Sequence, residues 1–297
     1  MRLPEQPGCC GADEGDADYR VARLMVHAWE EPYISGTRGS GAIFFSGCAL
    51  GCSFCQNRPI SQAHLGERLT AEALLRQAVA LLEQGVHNLN LVTPSHYADR
   101  LPVWLDQLRK QAVVSERPVP IIWNSSAYES AAALRGLTGR VDVYLPDFKF
   151  SGQDLAADLA GAPDYPAVAA AALTEMLRQQ PTAVFDRTGL LCRGVAVRHL
   201  VLPGHWRDSC QVLERLAAIL PLETPLAIMS QYTPQPDDPA ARAGHPELCR
   251  RVTTWEMRQV SDHALTLGFC RLLSQDRTSA SAVYTPDFTE GLLRGRI

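Results

Sequence analysis

Cys48, Cys52 and Cys55 fall within eight residues, spaced Cys-x3-Cys-x2-Cys. They follow the apolar run Ala42–Phe45, and Gly47 and Gly51 each stand directly before a cysteine, where a tight loop needs free backbone. A loop of this kind can aim three thiolates at one metal centre. A cuboidal iron–sulfur cluster held by three cysteines keeps one iron open to a substrate or cofactor, whereas four cysteines close the site. The competing reading is zinc, which in structural sites takes four protein ligands, commonly as two Cys-x2-Cys pairs. No second such pair occurs in the chain. A disulfide framework is not expected in a chain of 297 residues whose first residues lack the apolar core of a signal peptide.

Asp147 and Lys149 form the second chemical group. Two residues apart on an extended chain, they share a face with Val141, Val143 and Leu145. An inward pair of this kind is either a neutralised ion pair or a clamp for an amino-acid-like ligand, the carboxylate meeting an ammonium or hydroxyls and the ammonium a carboxylate. Of the chain's 28 basic residues only Lys110 and Lys149 are lysine. A lysine kept in so arginine-rich a chain marks a place where a compact point charge is needed instead of a planar fork.

The elements that position these groups alternate. Strands are expected at 42–47, 88–93, 120–124, 141–147, 195–202 and 226–231. Helices are expected at 71–84 (capped by Thr70), 99–112, 130–137, 167–179 within an insertion, 208–219, and from Thr253 or Thr254 to Leu267. Residues 21–31 could be helix or strand, 32–41 read as a Gly-rich loop, and 234–246 as a Pro/Asp-rich loop. Six βα units are too few for a closed eight-stranded barrel. The expected fold is α/β, a partial (β/α)6 TIM-like barrel over 36–277, with an N-terminal extension at 1–35 and a C-terminal tail at 278–297. Functional groups then belong at the C-terminal ends of the strands. Those ends carry Thr93, Ser95 and His96; Asn124; Asp147 and Lys149; and Ser230 and Gln231. Arg198 and His199 are successive on one strand, so only one of them can face inward.

Composition bounds the function. The formal charge is −4, with 46% hydrophobic and 20% charged residues, enough for a full core. No basic run points to nucleic acid, and no window is apolar enough for a membrane span. A cytoplasmic location is expected, with nine cysteines kept as thiols or metal ligands.

The cysteine loop resembles that of the radical SAM superfamily, where this spacing holds a [4Fe-4S] cluster and S-adenosylmethionine chelates the open iron. Phe54, the aromatic before the third cysteine, fits that pattern. Further blocks resemble the PflX-type proteins, relatives of pyruvate formate-lyase activating enzyme: 29–36, 90–97, 141–149, 197–204 and 229–234. The likeness implies S-adenosylmethionine contacts at Asp147, Lys149, Arg198 and Asn124, with Gln231 ending the sixth strand. Thr93–His96 replaces a Gly-Gly-Glu turn, so only its backbone role carries over. The likeness also implies an electron donor such as flavodoxin or ferredoxin. The hydrogen donor would be a glycyl-radical enzyme, another peptide or a small molecule. That subfamily usually begins with a further Cys-x2-Cys-Pro-Arg-x-Cys element. Only Cys9 or Cys10 could stand for it here, so no auxiliary metal site is expected. A zinc-binding barrel without catalysis is the alternative.

Overall fold

Alternation of apolar residues along short β-branched runs builds a curved parallel sheet. The structure, a computed structural model, describes residues 19–234, 244–274 and 288. Cys9 and Cys10, the middle of the Pro/Asp-rich loop and the tail other than Phe288 lie outside the described residues. The strands are β1 Tyr19–His27, β2 Ser40–Phe45, β3 Glu67–Leu69, β4 Leu89–Val92, β5 Ile121–Ser125, β6 Val143–Pro146, β7 Val184–Phe185, β8 Leu191–Val195, β9 Val197–Leu200, β10 Leu226–Met229 and β11 Leu272–Ser274. The α-helices are α1 Pro32–Ser35, α2 Arg58–Ser61, α3 Ala71–Glu83, α4 Leu101–Arg109, α5 Ala112–Ser115, α6 Ala131–Arg135, α7 Gln153–Ala160, α8 Tyr165–Gln179, α9 Trp206–Ile219 and α10 Thr254–Thr266. Among the described residues no helix is long and apolar enough to cross a membrane.

Strands β2, β4, β5 and β6 pair in parallel, as do β9, β10 and β11. A parallel bridge between Asp147 and Arg198 joins the two groups. β1 lies antiparallel on the outer edge of β2, so the barrel stays open there. One face of each strand packs beneath the helices, with Ile43, Leu91, Trp123, Tyr144, Val197 and Ile228 in the main core. The other face looks inward, and Ile122, Val143 and Leu145 share a separate apolar cluster there.

Three expectations change. The apolar run 195–202 is two strands, because the chain switches neighbours at Ala196: its N–H bonds Tyr144 O, whereas Val197 N–H bonds Pro225 O. The insertion contains α7, α8 and the β7–β8 hairpin in place of one helix. The expected 99–112 helix ends at Arg109, and α5 restarts after Gln111, whose ψ of 140° is extended. Thr70 does cap α3, and Thr253 with Glu256 forms a capping box at α10.

The segment after β1 is the floor of the barrel. His27 pairs with Ser40, at the N-terminal end of β2, and the chain then runs beneath the sheet. Ile34 of α1 packs against Ile122, Val143, Leu145 and Ala196 in the inward cluster. Asn88 Nδ2 donates to Ile34 O at 2.7 Å, fixing α1 beneath β4.

Candidate active site

A cavity of about 610 Å³ opens above that floor at the C-terminal ends of the strands. All three cysteines of the loop line it, with Phe54, Thr93, Asn124, Asp147, Lys149, Arg198 and Gln231. Its volume is within the ordinary range for small-molecule sites.

Backbone bonds set the cysteine loop. Gly47 N–H donates to Ile60 O, Gly51 N–H to Ala160 O and Ser53 N–H to Leu159 O, so α2 and the end of α7 hold it from either side. Gly47 has φ 100° and needs its missing Cβ. Gly51 corrects the sequence reading: its φ is not left-handed, and a Cβ there meets nothing nearer than Ala160 O at 3.7 Å. Leu50 N–H points at Cys48 Sγ at 3.4 Å, and Cys55 Sγ lies 3.3 Å from Ser61 Oγ. Phe54 packs edge-on against Phe150. Burial pushes the Cys52 thiol up to about 12, with Lys149 pulling the other way. A thiol held so keeps its proton until a metal displaces it.

Among the described residues no three His, Cys, Asp or Glu side chains converge on the position of a single ion. A tetrahedral zinc needs all its ligands at ~2.0–2.3 Å from one point. Three thiols that line one cavity without converging on one point suit a polynuclear cluster that takes each thiolate on a different iron.

Facing the loop is a polar wall built from inward strand positions. Lys149 Nζ donates to Asp147 Oδ2 at 2.8 Å, and Arg198 Nε donates to Asp147 Oδ1 at 2.8 Å. Arg198 also reaches Asn124 Oδ1 at 2.6 Å and Glu30 Oε2 at 3.1 Å. Asn90 Nδ2 donates to Glu30 Oε1 at 2.9 Å. Burial by itself would raise the Asp147 carboxyl, but Arg198 and then Lys149 outweigh it and hold it at about 2. Burial opposes the charge on Lys149, and Asp147 more than restores it. Tyr165 fixes the backbone here, accepting from Lys149 N–H at 2.9 Å and donating to Asp147 O at 2.8 Å.

The remaining sequence candidates divide. Thr93 lines the cavity with φ 55°, a left-handed conformation that costs a β-branched residue ~1–2 kcal/mol. Gln231 lines it too, and its carbonyl accepts from Gln56 Nε2 at 2.9 Å, tying the cysteine loop to β10. Ser95 and His96 do not line the cavity. Ser95 bonds Glu129, and His96 sits 4.2 Å from the Tyr97 ring beside Gly47, its pKa lowered to about 4 by burial. On β9 Arg198 faces the site, while His199 turns away and lies 2.7 Å from Phe148 O through Nδ1.

Glu30, Glu31, Asn90 and Gln56 were not picked out as site residues from sequence. Glu30 belongs to the Arg198 network although it lies 168 residues away. The signal for it was two adjacent acids between an aromatic and a proline, after a run that reads equally as helix or strand. Burial raises the Glu30 carboxyl against the pull of Arg198. Burial likewise takes Glu31 to about 7, again opposed by Arg198. An acid whose folded pKa is raised favours the fold below its unfolded value and loses that contribution as pH rises through the folded one. Glu31→Gln should therefore stabilise the ligand-free protein by ~1–3 kcal/mol at pH 8, and the gain should vanish by pH 4.5. Urea unfolding at the two pH values measures it; equal midpoints at pH 8 would show that Glu31 is not held in this environment.

No protein-family model matches the chain. The chain is 26% identical over 233 residues to the uncharacterized protein MJ0674 of Methanocaldococcus jannaschii, an alignment covering 76% of this chain and 62% of that protein. Among solved structures it is similar to methylornithine synthase PylB, with a TM-score of 0.53 at 17% identity over 79% of this chain and 63% of that one. It is also similar to Streptococcus suis SuiB bound to precursor peptide SuiA, with a TM-score of 0.50 at 10% identity over 77% and 47%. The fold, a partial (β/α)6 TIM-like barrel, is shared with these two structures. The chain spans less than two thirds of the length of each of these proteins.

Proposed function

We propose that the chain is a radical SAM enzyme, with Cys48, Cys52 and Cys55 as ligands of a [4Fe-4S] cluster and S-adenosylmethionine along the Asp147–Lys149–Arg198 wall. The observation that carries this is one cavity lined by both groups, the three thiols and an ion-paired carboxylate–ammonium–guanidinium set. The barrel type supports the reading, as does the motif spacing. Bound there, cluster and cofactor supply reductive sulfonium cleavage and hydrogen abstraction. The chain's own residues bind and orient. Lys149 offers a point charge to a carboxylate, and Asp147 offers acceptors to an ammonium or hydroxyls. Glu30 and Asn124 fix the plane of Arg198, while α1 and Phe54 close the floor and flank against water. The resemblance further suggests a flavodoxin or ferredoxin as electron donor, cytoplasmic operation, and a glycyl-radical enzyme, other peptide or small molecule as hydrogen donor.

Anaerobic reconstitution tests this reading. A brown protein with ~4 irons per chain that binds S-adenosylmethionine supports it, and stoichiometric zinc with no iron sinks it. Lys149→Arg should keep its iron yet bind S-adenosylmethionine ~1.5–3 kcal/mol more weakly, because a planar fork cannot replace the point charge beside Asp147. Lys110→Arg, exposed at the end of α4, should match wild type. Calorimetry on the reconstituted variants gives the numbers, and unchanged affinity in Lys149→Arg would reduce the lysine to an ion-pair partner of Asp147.

A further inference from the structure

The floor of the cavity carries polar atoms that the cluster and cofactor reading does not use. His27 and Glu31 both line the cavity, and both are more than nine-tenths buried, at 7% and 6% exposed. Among the described residues His27 Nδ1 and Glu31 Oε2 have no hydrogen-bond partner. Leaving such groups unsatisfied costs ~1–3 kcal/mol each, so unpartnered buried atoms on two cavity-lining residues mark where a ligand's donors are missing. Ser35, from α1, also lines the floor and is already occupied, accepting from Glu30 N–H at 3.0 Å.

Charge gives the class of ligand. The ionisable side chains lining the cavity, besides the three thiols and His27, are Glu30, Glu31, Asp147, Lys149 and Arg198. Arg198 is bonded to Asp147 and Glu30, and Lys149 to Asp147. Among the described residues three carboxyls thus face two cations, and Glu31 is the carboxyl with no ion pair to either. Burial and the nearby Arg198 keep His27 neutral, so it offers the floor no positive charge.

We infer that His27 and Glu31 form a substrate subsite for a cationic nitrogen group, an alkylammonium or guanidinium, carried by the molecule that donates hydrogen. This rests on the radical SAM reading for its place in the reaction, and it deepens that reading by naming a substrate class. The group descends past the Asp147–Arg198 wall and donates to Glu31 Oε2, with His27 Nδ1 as second acceptor in the matching tautomer. The same chemistry could be a basic side chain of a peptide or a free small amine.

Calorimetry on the full chain, anaerobically reconstituted and with S-adenosylmethionine present, tests the subsite. The probes are the tripeptide Gly-Lys-Gly against its neutral counterpart Gly-norleucine-Gly, and n-butylammonium against n-butanol. At least one cationic probe should bind ~10-fold or more tightly than its neutral counterpart. Preference for the tripeptide over n-butylammonium assigns a peptide source, and the reverse a free amine. Glu31→Gln should erase the cation preference and leave S-adenosylmethionine affinity within ~2-fold. Glu31→Asp, which keeps the charge, should retain a reduced preference, and it decides the matter should the Gln variant fold poorly. Equal or absent binding of every cationic and neutral pair by wild type overturns the inference. So does a cation preference that survives Glu31→Gln, or a parallel loss of S-adenosylmethionine binding, which would place Glu31 in the cofactor site. Failure of the radical SAM reading looks different: no iron and no S-adenosylmethionine binding, with the cation preference intact.

Discussion

Single replacement of Cys48, Cys52 or Cys55 by Ala is expected to abolish iron loading and the brown colour on anaerobic reconstitution. The three thiols line one cavity, the loop between them is pinned at Gly47, Gly51 and Ser53, and among the described residues no other cysteine lines that cavity to replace a lost ligand. Replacement of Cys192, Cys210, Cys249 or Cys270 should leave iron at the wild-type level. None of these lines the cavity; Cys249 and Cys270 are exposed, Cys210 is on α9, and Cys192 lies within hydrogen-bond reach of Leu190 O on β8. Iron analysis and the absorption spectrum decide it. Cluster retention in Cys52→Ala with loss in Cys192→Ala would reverse the ligand assignment. Because backbone bonds from Gly47, Gly51 and Ser53 hold the loop whether or not the thiols are present, the Cys→Ala variants should fold normally, with helix content like wild type by circular dichroism.

That result depends on what was legible in the chain. The cysteine spacing and the Asp147–Lys149 alternation follow from local geometry, fixed reach within a loop and period two along a strand; period two also says that only one of Arg198 and His199 faces inward, and the family resemblance chose Arg198. The core strands were readable because their apolar runs are bounded by turn residues, and α3 and α10 because Thr70 and Thr253 announce their starts. What stayed hidden depends on long-range pairing. Strands β3 and β11 are three residues each and gain their identity only from partners: Glu67 opposite Val21, and Leu272 beside Leu226. The β7–β8 hairpin turns on Asp186, whose Oδ1 accepts from Thr188 and Leu190 N–H, a motif easily passed over between longer elements. The largest omission was the floor. Pro32–Ser35 is a single helical turn in a Gly-rich stretch, and only the inward cluster around Ile34 shows why it is there. With the floor went Glu30, whose partner Arg198 is 168 residues away in the chain.

That partnership sets up the second large effect. Arg198→Met should destabilise the cluster-free protein by ~3–5 kcal/mol at pH 7.5, since removing one member of a buried charge network leaves the others uncompensated. Arg198 and Glu30 expose only 13% and 10% of their side chains, so solvent cannot take over the screening. In wild type, Asp147 is held at about 2, below its ordinary 3.8; the stability this contributes is full above the unfolded value and is lost as pH falls through about 2. Without the guanidinium, burial acts on Glu30 unopposed except by Asn90 and raises its pKa further. A raised acid favours the fold at low pH and loses that contribution as pH rises. The Asp147 contribution changes only below about pH 4, so between neutrality and pH 5 the Glu30 carboxyl sets the trend, and the deficit of Arg198→Met relative to wild type should be largest near neutrality and shrink toward pH 5. Urea midpoints of both proteins across that range provide the test. Glu30→Gln placed in the Arg198→Met background should recover part of the loss, because it removes the stranded carboxylate while Asn90 and Asn124 can still bond the amide. A deficit below ~1 kcal/mol at pH 7.5, the size expected of an exposed pair, would mean that water reaches the guanidinium and that the wall is not a pre-ordered surface for a ligand.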